Sequence, residues 1–144
     1  MAQLKIGDKA PEFDLLRHLK GKKVVLYFYP KDSTPGCTRE ACSFQENVKT
    51  IEKKGAVVVG VSADSVDSHR KFAEKYELTF PLVSDEKKEI VKKYGVWKEK
   101  SLYGKTYMGV ERTTFIIDGK GIVSHIFPKV KVDGHTEEVL AALC

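Results

Sequence analysis

"KKVVLYFYPKDSTPGCTREACSFQENVKTIEKKGAVVVGVSA" (residues 22–63) decides the fold class of this chain. Residues 22–30 are an unbroken apolar and aromatic run ending at Pro30, the pattern of a buried strand. After a short loop, Ala41, Phe44, Val48 and Ile51 recur at helical spacing, and Gly55 closes that segment. Residues 56–63 return to a continuous apolar run, a second buried strand. Strand, helix and strand at this length point to parallel pairing with a helical crossover.

The alternation continues on the C-terminal side. "SVDSHRKFAEKYEL" (65–78) reads as an amphipathic helix, "FPLVSD" (80–85) as a short strand, and "EKKEIVKKYG" (86–95) as a helix ending at Gly95. Residues 96–111 are the longest irregular stretch and are expected to form a surface loop bordering a site. "RTTFIID" and "GIVSHIF" flank Gly119 and Lys120, which predicts a tight antiparallel hairpin. "HTEEVLAALC" (135–144) is a terminal helix with Thr136 as its N-cap. The order predicts one α/β domain over residues 1–144, a central mixed sheet with helices on both faces. It is also the order of the thioredoxin fold, with one extra strand–helix pair between its halves.

Totals narrow the function classes. The 144 residues suffice for one domain with a hydrophobic core, and 42% hydrophobic with 31% charged residues is ordinary for a soluble protein. The net charge of +5 comes from 25 basic and 20 acidic residues scattered along the chain, so nucleic-acid binding is not expected. No apolar stretch approaches the ~20 residues that span a bilayer, and the start, "MAQLKIGDKAPEF", has no secretory pattern. Three cysteines are poor material for a secreted disulfide framework, so a cytoplasmic protein with reduced or catalytic thiols is expected.

Two of those cysteines, Cys37 and Cys42, lie in the loop–helix junction after the first strand. In an open α/β sheet, reactive groups gather beyond the carboxyl ends of the strands, and this junction is such a place. Thr34 suits the N-cap and Pro35 the first helical position, which puts Cys37 in the first turn. Free N–H groups and the helix dipole stabilise an anion there, and the thiolate is the reactive form of cysteine. Cys37 is therefore the candidate nucleophile. Five residues of ideal helix hold two Cα atoms roughly 8–9 Å apart, beyond the ~7 Å a disulfide tolerates. A bond between Cys37 and Cys42 requires the first turns to unwind. The spacing does not fit a C-x-x-C redox pair, and His18, His69, His125, His135 and Cys144 supply no spaced partner for a zinc site. The histidines read as surface or packed polar residues, Glu40 as a surface acid in preference to a group that tunes the cysteine chemistry, and Cys144 is assigned no role; no metal or cofactor is expected.

The stretch "YPKDSTPGCTREAC" (29–42) resembles the active-site segment of the peroxiredoxins, most of all their bacterioferritin comigratory protein, or peroxiredoxin Q, subgroup. The family motif of Pro, three residues, Thr, two residues and Cys falls on Pro30, Thr34 and Cys37, and the subgroup's resolving cysteine falls on Cys42. The arginine that precedes a "TFIID"-like strand in the family falls on Arg112. Similarity extends through "GVSADSVDSHRKFAEKYELTFPLVSD", "YGVW" and "GHTEEVLAAL", almost the whole chain, whereas "FDLLRHLKGKK" is shorter than its counterpart and leaves that segment's small hairpin open. The resemblance implies a thiol peroxidase for hydrogen peroxide and organic hydroperoxides. In it, Cys37 attacks the peroxide, Cys42 resolves the sulfenic acid, and thioredoxin or a similar dithiol reduces the disulfide. Arg112 would stabilise the thiolate and the leaving oxygen, Thr34 would bond the peroxide or the sulfur, and Pro30 would shape and shield the loop. A monomer or weak dimer is implied.

Overall fold

The computed structural model describes residues 3–143. Strand β1 (Lys23–Phe28) lies at the centre of a five-stranded sheet with order β3-β2-β1-β6-β7. Strands β2 (Ala56–Ser62) and β3 (Leu82–Ser84) run parallel to it, and β6 (Thr113–Ile117) and β7 (Val123–Phe127) form the antiparallel side. The mixed sheet of a thioredoxin-like fold is present as expected.

The β1 run is continuous because both of its faces are covered. Val24, Leu26 and Phe28 point into one core, with Leu16, Val91, Tyr94 and Phe115. Val25, Tyr27 and Tyr29 point into the other, with Cys37, Ala41, Phe44, Ile51, Phe72 and Val139. Helices α1 (Asp14–His18) and α5 (Glu89–Lys93) thus cover the first face. Helices α2 (Pro35–Glu46), α3 (Val48–Lys53), α4 (Val66–Tyr76) and α6 (His135–Ala142) cover the second.

Several expectations change in detail. The helix after β1 is two helices, broken at Asn47, whose side chain turns back to donate to the Ser43 carbonyl at 2.9 Å. Residues 96–111 are not irregular: β4 (Trp97–Leu102) and β5 (Lys105–Val110) pair as a separate antiparallel ribbon. Its turn uses Tyr103 and Gly104, both at positive φ (51° and 76°). The β6–β7 turn is longer than a Gly-Lys pair, because the Asp118 carboxylate accepts from Lys120 N and Ile122 N at 2.9 and 3.0 Å. Residues 13–23 carry α1 rather than a hairpin. The N-cap of α6 is Gly134 at φ 82°, and Thr136 lies inside the helix, bonded to Ser43 Oγ at 2.6 Å. Cys144 lies outside the described residues.

Candidate active site

Register brings the site together. Strand β6 pairs antiparallel with β1 so that Thr113 faces Phe28. The residue before β6, Arg112, is therefore delivered to the carboxyl end of β1, where the loop of residues 30–34 leads into α2. Its backbone carbonyl accepts from Val130 N at 2.8 Å, which fixes the approach. Helix α2 starts as the sequence predicts, with Thr34 at the N-cap and Pro35 in the first turn. The Thr34 hydroxyl does not cap the helix; it donates to the Lys31 carbonyl at 2.9 Å and so tightens the loop. Pro30 opens that loop, half-buried.

Cys37 is 1% exposed, and Arg112 Nη2 donates to its Sγ at 3.2 Å. The other arm of the same guanidinium, Nη1, bonds Glu40 Oε1 at 2.7 Å. Gly36 makes room for this fork, since a Cβ there would meet Nη2 at 3.2 Å. Glu40 is 2% exposed and is the residue that sequence reasoning misplaced as a surface acid. Residues 37, 40, 41 and 44 share one helix face at i, i+3, i+4 and i+7, so Glu40 falls in the middle of the buried stripe. That spacing was the available signal. Burial pushes the Glu40 carboxyl up to about 7 against the opposing pull of Arg112, and its Oε2 has no hydrogen-bond partner.

Cys42 lies off that face and is half-buried; burial, then the charge of Glu46 one turn on, raises its thiol above the ordinary range. Both cysteines are free, within one unbroken helix. The β4–β5 ribbon borders the site from the other side. Lys100 lays its stem against Gly109, and burial and then Arg112 lower its pKa. Neither cysteine joins a group able to hold a metal among the described residues; the one such group is Asp32, Asp64 and His69.

A buried thiol at a helix start, held by an arginine fork, has the geometry that suits a nucleophile, and comparison with known proteins decides its family. The AhpC/TSA family profile matches residues 6–126. The chain is a peroxiredoxin of that family. Peroxiredoxin Bcp of Bacillus subtilis is 45% identical over 149 aligned residues, covering 97% of this chain and 95% of the relative. Among solved structures, the Xanthomonas campestris bacterioferritin comigratory protein, studied for alkyl peroxide reduction, superposes with a TM-score of 0.86 at 48% identity. That match covers 89% of this chain and 80% of the other. A mutant of Xylella fastidiosa PrxQ superposes with a TM-score of 0.93 at 38% identity, covering 99% and 97%. As a peroxiredoxin the chain is a thiol-dependent peroxidase, of the subgroup that its active-site segment resembles. No helix among the described residues is long and apolar enough to cross a membrane.

Proposed function

We propose that the whole chain acts as one peroxidase domain, with Cys37 the peroxidatic residue and Cys42 the resolving one. The observation that carries this is the 3.2 Å contact between Arg112 Nη2 and Cys37 Sγ in the first turn of α2. The Cys37 thiolate attacks one oxygen of a hydroperoxide, hydrogen peroxide or an alkyl hydroperoxide. A sulfur–oxygen bond forms, the oxygen–oxygen bond breaks, and the leaving alkoxide or hydroxide takes a proton to depart as alcohol or water. Arg112 supports the attacking anion and the charge growing on the leaving oxygen. Pro30 and Thr34 shape the loop over the thiolate; the Thr34 oxygen, its proton committed to Lys31, retains lone pairs that accept from the peroxide proton. The Cys37 sulfenic acid then condenses with the Cys42 thiol, releasing water. Helical spacing forbids that bond while α2 is intact, so its first turn opens between the two steps. A dithiol protein of the thioredoxin type returns both thiols by disulfide exchange. The protein works as a monomer or weak dimer in the cytoplasm.

Glu40 sets how much of the Arg112 charge reaches the sulfur. Protonated, it leaves the guanidinium to the thiolate; ionised, it shares it. Its raised pKa also carries a stability signature. The folded protein binds the Glu40 proton more tightly than the unfolded chain, so this group makes stability fall as pH rises from about 4.5 to about 7. Glu40→Gln removes that slope. Urea unfolding across this window should show a smaller loss of stability in Glu40→Gln than in wild type; equal slopes would mean that Glu40 is not held in its protonated form.

The central experiment is a peroxide titration with thioredoxin and its reductase, followed by mass-spectrometric mapping of the oxidised protein. Turnover with one Cys37–Cys42 disulfide per chain is expected. A Cys37–Cys144 bond in its place would remove Cys42 from the resolving role.

A further inference from the structure

The loop of residues 30–34 is tied down by a buried ionic cluster that the peroxidase chemistry leaves unused. Asp32 and His69 are 5% and 4% exposed. Asp32 Oδ2 meets His69 Nδ1 at 2.6 Å and accepts from Ser68 Oγ at 2.8 Å, while Oδ1 accepts from the Tyr29 hydroxyl at 2.6 Å. The other ring nitrogen of His69, Nε2, meets the Val83 carbonyl at 3.0 Å. A carboxylate and a carbonyl only accept, so both ring nitrogens carry protons and His69 is an imidazolium. Asp64 joins from the loop after β2, where its Oδ2 accepts from Asp32 N at 2.8 Å and from Ser62 Oγ at 2.7 Å. Asp32 and His69 are thus bonded to each other, and Asp64 to the loop backbone.

We propose that the His69–Asp32 pair is a clasp that positions the peroxidatic loop for attack on peroxide and must yield before Cys37 reaches Cys42. This rests on the reading of those cysteines as the reacting pair. The mechanical argument is local. The later turns of α2 are anchored by Ala41 and Phe44, both 0% exposed, whereas its first turn is held by the buried Cys37 with its Arg112 contact and by the loop of residues 30–34. That loop is itself unrelaxed, since Ser33 holds φ 64° without being glycine, a conformation that persists only when neighbours enforce it. Removing the clasp frees the loop and leaves the Cys37 packing and its Arg112 contact as the remaining hold on the turn.

The groups facing His69 are Tyr29 from the end of β1, Asp32, Asp64, and the Val83 carbonyl on β3. Burial alone would lower the His69 pKa; the hydrogen bond and charge of Asp32, with Val83 and Asp64, outweigh it and raise it. The sign follows: the clasp contributes fully below the ordinary histidine value near 6.5 and is lost as pH rises through the higher folded value. Rising pH therefore loosens the loop and favours the open conformation that resolution needs.

His69→Leu removes the clasp, and His69→Asn keeps a neutral donor of similar size should the leucine variant fail to fold. Amide exchange of residues 31–38 should accelerate by about tenfold in either variant while β2 stays protected. In rapid-quench experiments on the full chain, Cys37 oxidation should slow by about threefold or more and Cys37–Cys42 disulfide formation should quicken by a similar factor. The wild-type disulfide rate should approach that of His69→Asn as pH rises. Unchanged exchange at 31–38, both chemical steps slowing together, or a pH-independent ratio of wild-type to variant rates would each overturn the clasp. If wild type forms no Cys37–Cys42 disulfide, the resolving assignment fails instead, and the exchange measurement still decides the clasp.

Discussion

Cys37→Ser loses peroxide consumption by about a thousandfold or more, the largest effect expected of any single substitution in this chain. Serine fills nearly the same volume, so the 1%-exposed site stays packed and the fold is preserved. What disappears is the ionisable nucleophile. An alcohol is a far weaker acid than a thiol, and an alkoxide is not available at neutral pH. Cys42 cannot take over. It is beyond the first turn, on another face of α2, with its thiol raised by burial and by Glu46, both of which disfavour the reactive anion. Peroxide loss followed with a peroxide-specific dye, with folding checked by circular dichroism, measures the effect. A folded Cys37→Ser protein with near wild-type consumption would refute the assignment of the nucleophile.

Arg112→Met comes second, slowing Cys37 oxidation by about 10²–10³-fold. Methionine keeps the bulk over Gly36 but removes both arms of the fork, the one on Sγ and the one on Glu40. The rate loss has to be separated from a stability loss, because Glu40 is left buried with no partner. Glu40 answers by keeping its proton, to which burial already inclines it. The double variant Arg112→Met with Glu40→Gln tests the separation: it should recover stability relative to the single variant while the peroxide step stays slow. Stopped-flow oxidation of reduced protein gives the second-order constant, and a value equal to wild type would take Arg112 out of the mechanism.

These two residues also show how differently parts of the site are written into the chain. Cys37 announces itself locally. Thr34, Pro35 and the apolar stripe of α2 mark a helix start, and a thiol in a first turn has a distinctive chemistry wherever the helix goes. Arg112 is invisible to such reasoning. Nothing within a few residues distinguishes it from a solvated cation on a strand end, and only resemblance to a family pointed to it. Glu40 was open to the same periodicity that located Phe44. An acid in a helix reads as solvated unless a partner is in view, and the partner of Glu40 is 72 residues away. The β4–β5 ribbon escaped for another reason. Leu102, Tyr103, Tyr107 and Met108 are exposed, so no buried face imposes the alternation by which a strand is recognised.

By itself, the sequence determined the elements whose signals are local: the buried β1 and β2 runs, the start of α2 at Pro35, the strand–helix alternation over residues 56–95, and the thiol in the first turn. Short-range periodicity and cap chemistry suffice for these. The tertiary structure decided what depends on register and burial: Arg112 set beside Cys37 by the pairing of Thr113 with Phe28, Glu40 held under the guanidinium, and His69 closed on Asp32. Each of those groups takes its charge state and its role from a partner that the chain supplies only after it has folded back across the sheet.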